Sequence, residues 1–305
     1  MLNLKGVGVA LVTPFNEEKE INFNEFEKVV NYVIDGGVDY VVVLGTTGES
    51  VTLNSKEKQD LIKSCVETTN KRVPVIAGFG GNDTRSIIED INQSDLTGVD
   101  GILSVSPYYN KPTQEGIYEH YKAIANNTDL PIILYNVPGR TASNIRATTT
   151  LQLAHDFKNV IAIKEASNDW QQIFWLAREK PQDFLLISGN DDLIVPQISI
   201  GYDGVISVIA NATPREFSTM VHQALDGDFA SARQTVYQLD ELITFLFEQG
   251  NPAGVKAAMK HLGVCDDHVR LPLMPINADL RNKIAQNLVG LNKQMESLIT
   301  EHLVK

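Results

Sequence analysis

Short apolar runs rich in valine and isoleucine alternate along the chain with longer stretches whose apolar positions recur every three or four residues. The short runs lie at 7–12, 40–44, 73–77, 101–105, 131–134, 160–163, 184–187 and 204–209, eight in all. Continuous apolar runs of this length, bearing β-branched side chains, suit strands buried on both faces of a parallel sheet. Between them, 23–34, 56–68, 85–96 and 114–125 carry helical spacing, each with one apolar face. Asn54, with Glu57 three residues on, has the form of a capping box opening the second of these helices.

Strands that alternate with helices predict parallel β-α units. Eight such units can close on themselves and leave no exposed edge, so the expected fold is a (β/α)8 TIM barrel. A doubly wound open sheet shares the alternation, but it usually announces a GxGxxG turn after its first strand. Here the first run leads into Thr13-Pro14-Phe15, and Gly78-Phe79-Gly80-Gly81 lacks the third glycine at the required spacing. After about residue 224 the strand signals stop, and 229–247, 252–262 and 280–303 read as helices. Asn251-Pro252 is a good start and Gly263 a good stop for the middle one, and 269–275 reads as an extended connector. The expected organisation is a catalytic barrel over 1–224 and a C-terminal helical domain over 225–305.

Composition narrows the chemistry. The net charge of −12 and the pI near 5.0, without a clustered Lys/Arg stripe, argue against a nucleic-acid surface. Any anionic substrate must be met by a local cation. The two cysteines, Cys65 and Cys265, lie far apart and form neither a disulfide framework nor a metal knuckle, which suits a reducing cytoplasm. Residues 1–15 do not resemble a signal peptide, and no run approaches the roughly 18 apolar residues of a membrane span. A cytoplasmic location without membrane contact is therefore expected. The six histidines fall on helical or loop stretches, and none is expected to pair with a carboxylate at a strand end. Neither a metal site nor a cofactor is expected.

In such a barrel the residues to inspect are those that close each strand. After the second run comes Gly45-Thr46-Thr47-Gly48-Glu49, either a plain turn or a loop whose backbone N–H groups hold a carboxylate. After the fourth comes Ser106-Pro107-Tyr108-Tyr109. In an extended segment adjacent tyrosines face opposite ways, so one packs while the other presents its hydroxyl. The alternative there is an aromatic packing corner. The fifth run ends at Tyr135, a phenol able to relay protons, with Arg140 five residues on as a cation for a carboxylate. The sixth ends at Lys164. That lysine is either a surface charge or, if it points inward, an amine whose pKa desolvation lowers, ready to form a Schiff base. Together these groups suit imine chemistry on a keto acid.

GTTGES (45–50), SPYYNKP (106–112), YNVPGRT (135–141) and IKEAS (163–167), in this order, resemble the dihydrodipicolinate synthase family of pyruvate-dependent class I aldolases. The likeness covers nearly the whole chain, reaching 186–191, 204–207 and 270–273. It implies a synthase of diaminopimelate and lysine biosynthesis that condenses pyruvate with L-aspartate 4-semialdehyde through a lysine Schiff base. By that resemblance Lys164 is the nucleophile, and Tyr135, Thr46 and Tyr109 form a proton relay. The amides of Thr46 and Thr47 hold the pyruvate carboxylate, Gly189 and Ile206 line the pocket, and Arg140 receives the semialdehyde carboxylate. The family's counterpart of Tyr109 reaches into a neighbouring subunit, implying a homodimer or homotetramer with Tyr108 and Tyr109 at the dimer interface.

N-acetylneuraminate lyases and keto-deoxy sugar-acid aldolases share the lysine and the tyrosine. They generally lack the arginine and tend to vary the position of Thr47. A catalytically inactive barrel used for binding or regulation is the third reading. Lysine-inhibited family members usually carry histidines at the positions of Ser55 and Lys58 and a glutamate at that of Ser86; Asn82 and Tyr108 alone remain of that set. Lys58 would repel a lysine ligand, so feedback inhibition is expected to be weak or absent, and strong inhibition by submillimolar lysine would contradict this.

Overall fold

The computed structural model describes residues 2–303, and in it the apolar runs become eight parallel strands that close on themselves. They are β1 (Gly6–Ala10), β2 (Tyr40–Val43), β3 (Val75–Gly78), β4 (Gly101–Val105), β5 (Ile132–Asn136), β6 (Val160–Glu165), β7 (Leu185–Ser188) and β8 (Gly204–Ser207). Each pairs with the next in chain order, and β8 pairs with β1. Around them run α1 (Phe23–Asp35), α2 (Ser55–Thr69), α3 (Thr84–Gln93), α4 (Gln114–Ala125), α5 (Pro138–Thr141), α6 (Ala147–Asp156), α7 (Trp170–Glu179), α8 (Ile194–Ser199) and α9 (Pro214–Leu225). The chain continues with α10 (Phe229–Glu248), α11 (Ala253–His261) and α12 (Ala278–Leu303). This is the expected (β/α)8 barrel followed by C-terminal helices. Among the described residues no helix is long and apolar enough to cross a membrane.

Strand alternation sorts the apolar residues into two cores. Tyr40, Val42, Ile76, Leu103, Ile133, Ala162, Ile187 and Ile206 fill the barrel interior. Their neighbours Val41, Val43, Val75, Ile102, Ile132, Ile163, Leu186 and Val205 pack outward against the helices. Each such fully buried aliphatic side chain contributes roughly 1.5–3 kcal/mol. The interior is filled rather than hollow: a Cβ on Gly8 would lie 2.1 Å from the Tyr40 ring, so β1 yields its space to that tyrosine.

The helix starts follow their caps. Asn54 accepts the Glu57 N–H while the Glu57 carboxylate accepts the Asn54 N–H, completing the expected capping box. The predicted helix at 85–96 ends earlier, at Gln93, because Ser94 turns extended and bonds back to the Asp90 carbonyl. Strands β5 and β6 run two residues beyond their apolar runs, to Asn136 and Glu165. One expectation about the histidines is corrected: His222 on α9 does pair with a carboxylate at a strand end. Its Nε2 lies 2.8 Å from Asp39 Oδ2, just before β2. The α9 helix packs against β1, which brings the imidazole to the foot of the barrel.

Candidate active site

The polar ends of β5 and β6 stay in register, with Tyr135 beside Lys164 and Asn136 beside Glu165. The two-residue period that turns Ala162 inward turns Lys164 inward as well. Lys164 is buried, and its Nζ lies 4.4 Å from the centre of the Tyr135 ring. Beyond β7, a Cβ on Gly189 would approach Ala166 Cβ to 2.4 Å and Lys164 Cε to 3.2 Å. A side chain there would crowd the lysine. Above these groups opens a cavity of about 760 Å³ lined by Lys164, Tyr135, Thr46, Thr47, Arg140 and Gly189, among others. That volume suits a small metabolite with room for a second.

The outward pair is structural. Glu165 is fully buried, yet it accepts from Asn136 Nδ2 at 3.0 Å, Gln172 Nε2 at 2.8 Å and the Ser167 N–H at 2.8 Å. Burial pushes its carboxyl above the usual range, against these donors. Asn136 Oδ1 accepts the Ile145 N–H, and Asn136 Nδ2 also donates to Asn144 Oδ1. Both ends of the segment carrying Arg140 are thereby tied to the strand next to Lys164, with Arg140 left exposed at the rim.

The 45–50 loop is fastened from the other side. Thr46–Gly48 form one 3₁₀ turn, and Glu49 adopts a left-handed backbone with φ 54°. Thr46 is exposed, whereas the buried Thr47 receives Asn251 Nδ2 on its Oγ1 at 2.9 Å. Glu49 meets Lys256 Nζ at 2.6 Å, with both side chains out of solvent, and also accepts the Arg270 N–H at 2.9 Å. Lys256 further donates to the His268 carbonyl and stands 4.4 Å from the centre of the Phe15 ring. Burial lowers the Lys256 pKa, and the Glu49 carboxylate opposes that shift. The C-terminal helices thus set the loop that presents Thr46.

Two expected residues stand apart from the cavity wall. Ile206 packs inside the barrel, 1% exposed, among Ala10, Tyr135 and Ile187. Tyr109 is 88% exposed and has φ 70°, so the segment turns there rather than running extended. Its neighbour Tyr108 lines a second cleft of about 470 Å³ that shares Thr46, Tyr135 and Arg140 with the main cavity. Ser55 and Lys58 also line that cleft, and Ser86 Oγ donates to Asp83 Oδ2 at 2.8 Å.

Three further residues had gone unremarked as site groups. Asp191 lies in the Gly189-Asn190-Asp191 stretch closing β7, where a strand-end carboxylate was legible in the sequence. Asn251 and Lys256 carried no signal, because their partners lie about 200 positions away, at Thr47 and Glu49. The assembled site offers a buried amine, a phenol against it, a hydroxyl-bearing loop and a guanidinium. It can bind a keto acid, form an imine and move protons at the imine's neighbour carbon.

A family model described as the dihydrodipicolinate synthetase family matches residues 3–290. A 4-hydroxy-tetrahydrodipicolinate synthase of Parabacteroides distasonis is 50% identical over 291 residues, covering 95% of this chain and 98% of that protein. One from Flavobacterium psychrophilum is 50% identical over 279 residues, covering 92% and 95%. Among solved structures, dihydrodipicolinate synthase of Thermotoga maritima matches with a TM-score of 0.92 at 40% identity, covering 94% of this chain and 98% of that one. A monomeric dihydrodipicolinate synthase variant matches with a TM-score of 0.92 at 39% identity, covering 94% and 97%.

Proposed function

The chain belongs to the dihydrodipicolinate synthetase family, and we propose that it is a 4-hydroxy-tetrahydrodipicolinate synthase acting through a Schiff base on Lys164. It is a lyase of the class I aldolase type that serves diaminopimelate and lysine biosynthesis. The observation that carries the residue assignment is the inward Lys164 amine held 4.4 Å from the Tyr135 ring in a cavity rimmed by Arg140.

The reaction begins when the Lys164 amine adds to the pyruvate ketone carbon and water leaves, giving an iminium. The amides of Thr46 and Thr47 hold the pyruvate carboxylate. Loss of a proton from the methyl carbon gives an enamine, whose carbon bonds to the aldehyde of L-aspartate 4-semialdehyde. Tyr135 and Thr46 pass protons from the methyl carbon and to the new alkoxide. Arg140 receives the semialdehyde carboxylate. The semialdehyde amine then bonds to the imine carbon, the Lys164 nitrogen departs, and the ring closes. Gly189 leaves room for the adduct, and Ile206 supports it from the barrel interior.

The full relay includes Tyr109 from a neighbouring subunit, with Tyr108 beside it in a homodimer or homotetramer interface. Its exposure in a single chain supports this reading. A solved relative is a monomeric variant, so family membership alone does not set the assembly. The division into a catalytic barrel over 1–224 and a helical domain over 225–305, and a cytoplasmic location, belong to the same reading.

Borohydride reduction in the presence of pyruvate tests it. A mass adduct should form on Lys164 and be absent from Lys164→Ala. A coupled assay should then show turnover with pyruvate and L-aspartate 4-semialdehyde; turnover of N-acetylneuraminate or keto-deoxy sugar acids alone would overturn the assignment.

A further inference from the structure

Arg140 is carried by little local structure of its own. Between the end of β5 at Asn136 and the start of α6 at Ala147 the chain makes one excursion, and Arg140 sits on the short helix α5 within it. A helix of four residues has too few internal bonds to hold itself. The Arg140 side chain is exposed, so the place where its guanidinium stands is set by the backbone beneath it.

That backbone is closed at its neck by a buried polar cluster centred on Glu165. Asn136 Oδ1 accepts the Ile145 N–H at 2.9 Å, which brings the two ends of the excursion together. Gln172 Nε2, from α7, lies 3.2 Å from the Ile145 carbonyl and 2.8 Å from Glu165 Oε2. The half-buried Asn144 accepts Asn136 Nδ2 on its Oδ1 at 2.7 Å and donates its own Nδ2 to Gln172 Oε1 at 3.0 Å. A carboxylate only accepts hydrogen bonds. Glu165 therefore turns the NH2 groups of Asn136 and Gln172 toward itself, and Asn136 is left with its oxygen for the Ile145 N–H. A fully connected buried network of this kind fixes one geometry.

The 45–50 loop is fastened by other groups, namely Asn251, Lys256 and the Arg270 N–H. The two loops are thus held by separate sets of side chains. We propose that Glu165, through Asn136, Gln172 and Asn144, is a positioning residue for the second substrate, setting the neck of the 137–145 loop so that Arg140 meets the semialdehyde carboxylate. The proposal rests on the synthase reading above, in which Arg140 receives that carboxylate, and adds the device that places the arginine. Displacing a binding group by about 1 Å can cost as much as a hundred-fold, so the cluster governs affinity for the semialdehyde without touching it. The pyruvate half of the site, on the 45–50 loop, does not depend on it.

The test measures Asn144→Ala and Glu165→Gln, each alone and combined with Arg140→Ala, against both substrates. The KM for L-aspartate 4-semialdehyde should rise roughly ten-fold or more in each single variant. The KM for pyruvate, and the rate at which borohydride traps pyruvate on Lys164, should stay within about two-fold of wild type. In the Arg140→Ala background neither change should raise the semialdehyde KM by more than about two-fold further, because the group they place is gone. Equal rises for both substrates, an unchanged semialdehyde KM, or effects that simply add to that of Arg140→Ala would overturn the positioning role. Asn144 is only half-buried, so its variant remains informative should Glu165→Gln fold poorly. An Arg140→Ala variant with an unaltered semialdehyde KM, or a wild type that fails to trap pyruvate, would instead count against the synthase reading, which keeps the two failures distinct.

Discussion

The two ends of the barrel use aspartate in opposite ways. At the foot, Asp39, Asp100 and Asp203 each stand one residue before a strand, and each accepts the N–H at the start of the preceding strand. The bonds run from Val7 at 2.7 Å, Val75 at 2.8 Å and Leu186 at 3.0 Å. Asp203 also meets Lys180 Nζ at 2.9 Å. At the rim, Asp191 takes two N–H groups on one oxygen, while its other oxygen is buried without a partner. Aspartate at the foot thus joins one strand to the next, whereas at the rim it anchors the segment that follows β8.

The largest effect belongs to the join between the rim and the C-terminal helices. Lys256→Met strands the Glu49 carboxylate in a dry site, and breaking a buried pair from one side costs about 3–5 kcal/mol. The same change frees the loop proposed to hold pyruvate, so the pyruvate KM should rise as well. Denaturant unfolding beside steady-state kinetics checks both, and Glu49→Gln/Lys256→Met should recover much of the stability. A single variant that costs less than about 1 kcal/mol would show that the pair is no more than a surface contact. At the foot the effect should be smaller and confined to stability. Asp203→Ala leaves the Leu186 N–H without its acceptor, costing about 1–3 kcal/mol, while turnover per folded molecule should stay within about two-fold. A turnover loss matching that at the rim would erase the distinction between the ends.

How much of this was legible in the sequence depended on what each residue touches. The strands were readable because they are buried on both faces and so stay continuously apolar. Their ends were not: Tyr135, Asn136, Lys164 and Glu165 break the apolar run, yet cross-strand register carries the ladder through them. The family motifs pointed to the candidate site groups because each motif lies within one short loop. Their setting was hidden, since Thr47 depends on Asn251 and Glu49 on Lys256. An extended run through Tyr108 and Tyr109 would have set them on opposite faces, but Tyr109 has a left-handed backbone. The pairing of His222 with Asp39 was missed for the same reason as the Lys256 clamp, because α9 brings the two together across 183 positions.

That last pair gives the smallest effect and the most selective check on the foot. Asp39 Oδ2 accepts from both the Val7 N–H and His222 Nε2, and the hydrogen bond to Asp39 raises the His222 pKa above its ordinary 6.5. A raised pKa means that the fold favours the protonated ring. Its contribution is fully present below about pH 6.5, the unfolded value, and disappears as pH rises through the folded value. With 43% of the side chain exposed, solvent and salt screen the pair, limiting it to a few tenths of a kcal/mol. The stability gap between wild type and His222→Ala should therefore be widest near about pH 5.5 and narrow by about pH 8.5, with turnover unaffected at both. A gap that widened with pH would mean that the neutral ring is the bonded form, leaving Asp39 with no charge partner. Asp39 would then hold its part of the foot through neutral donors alone.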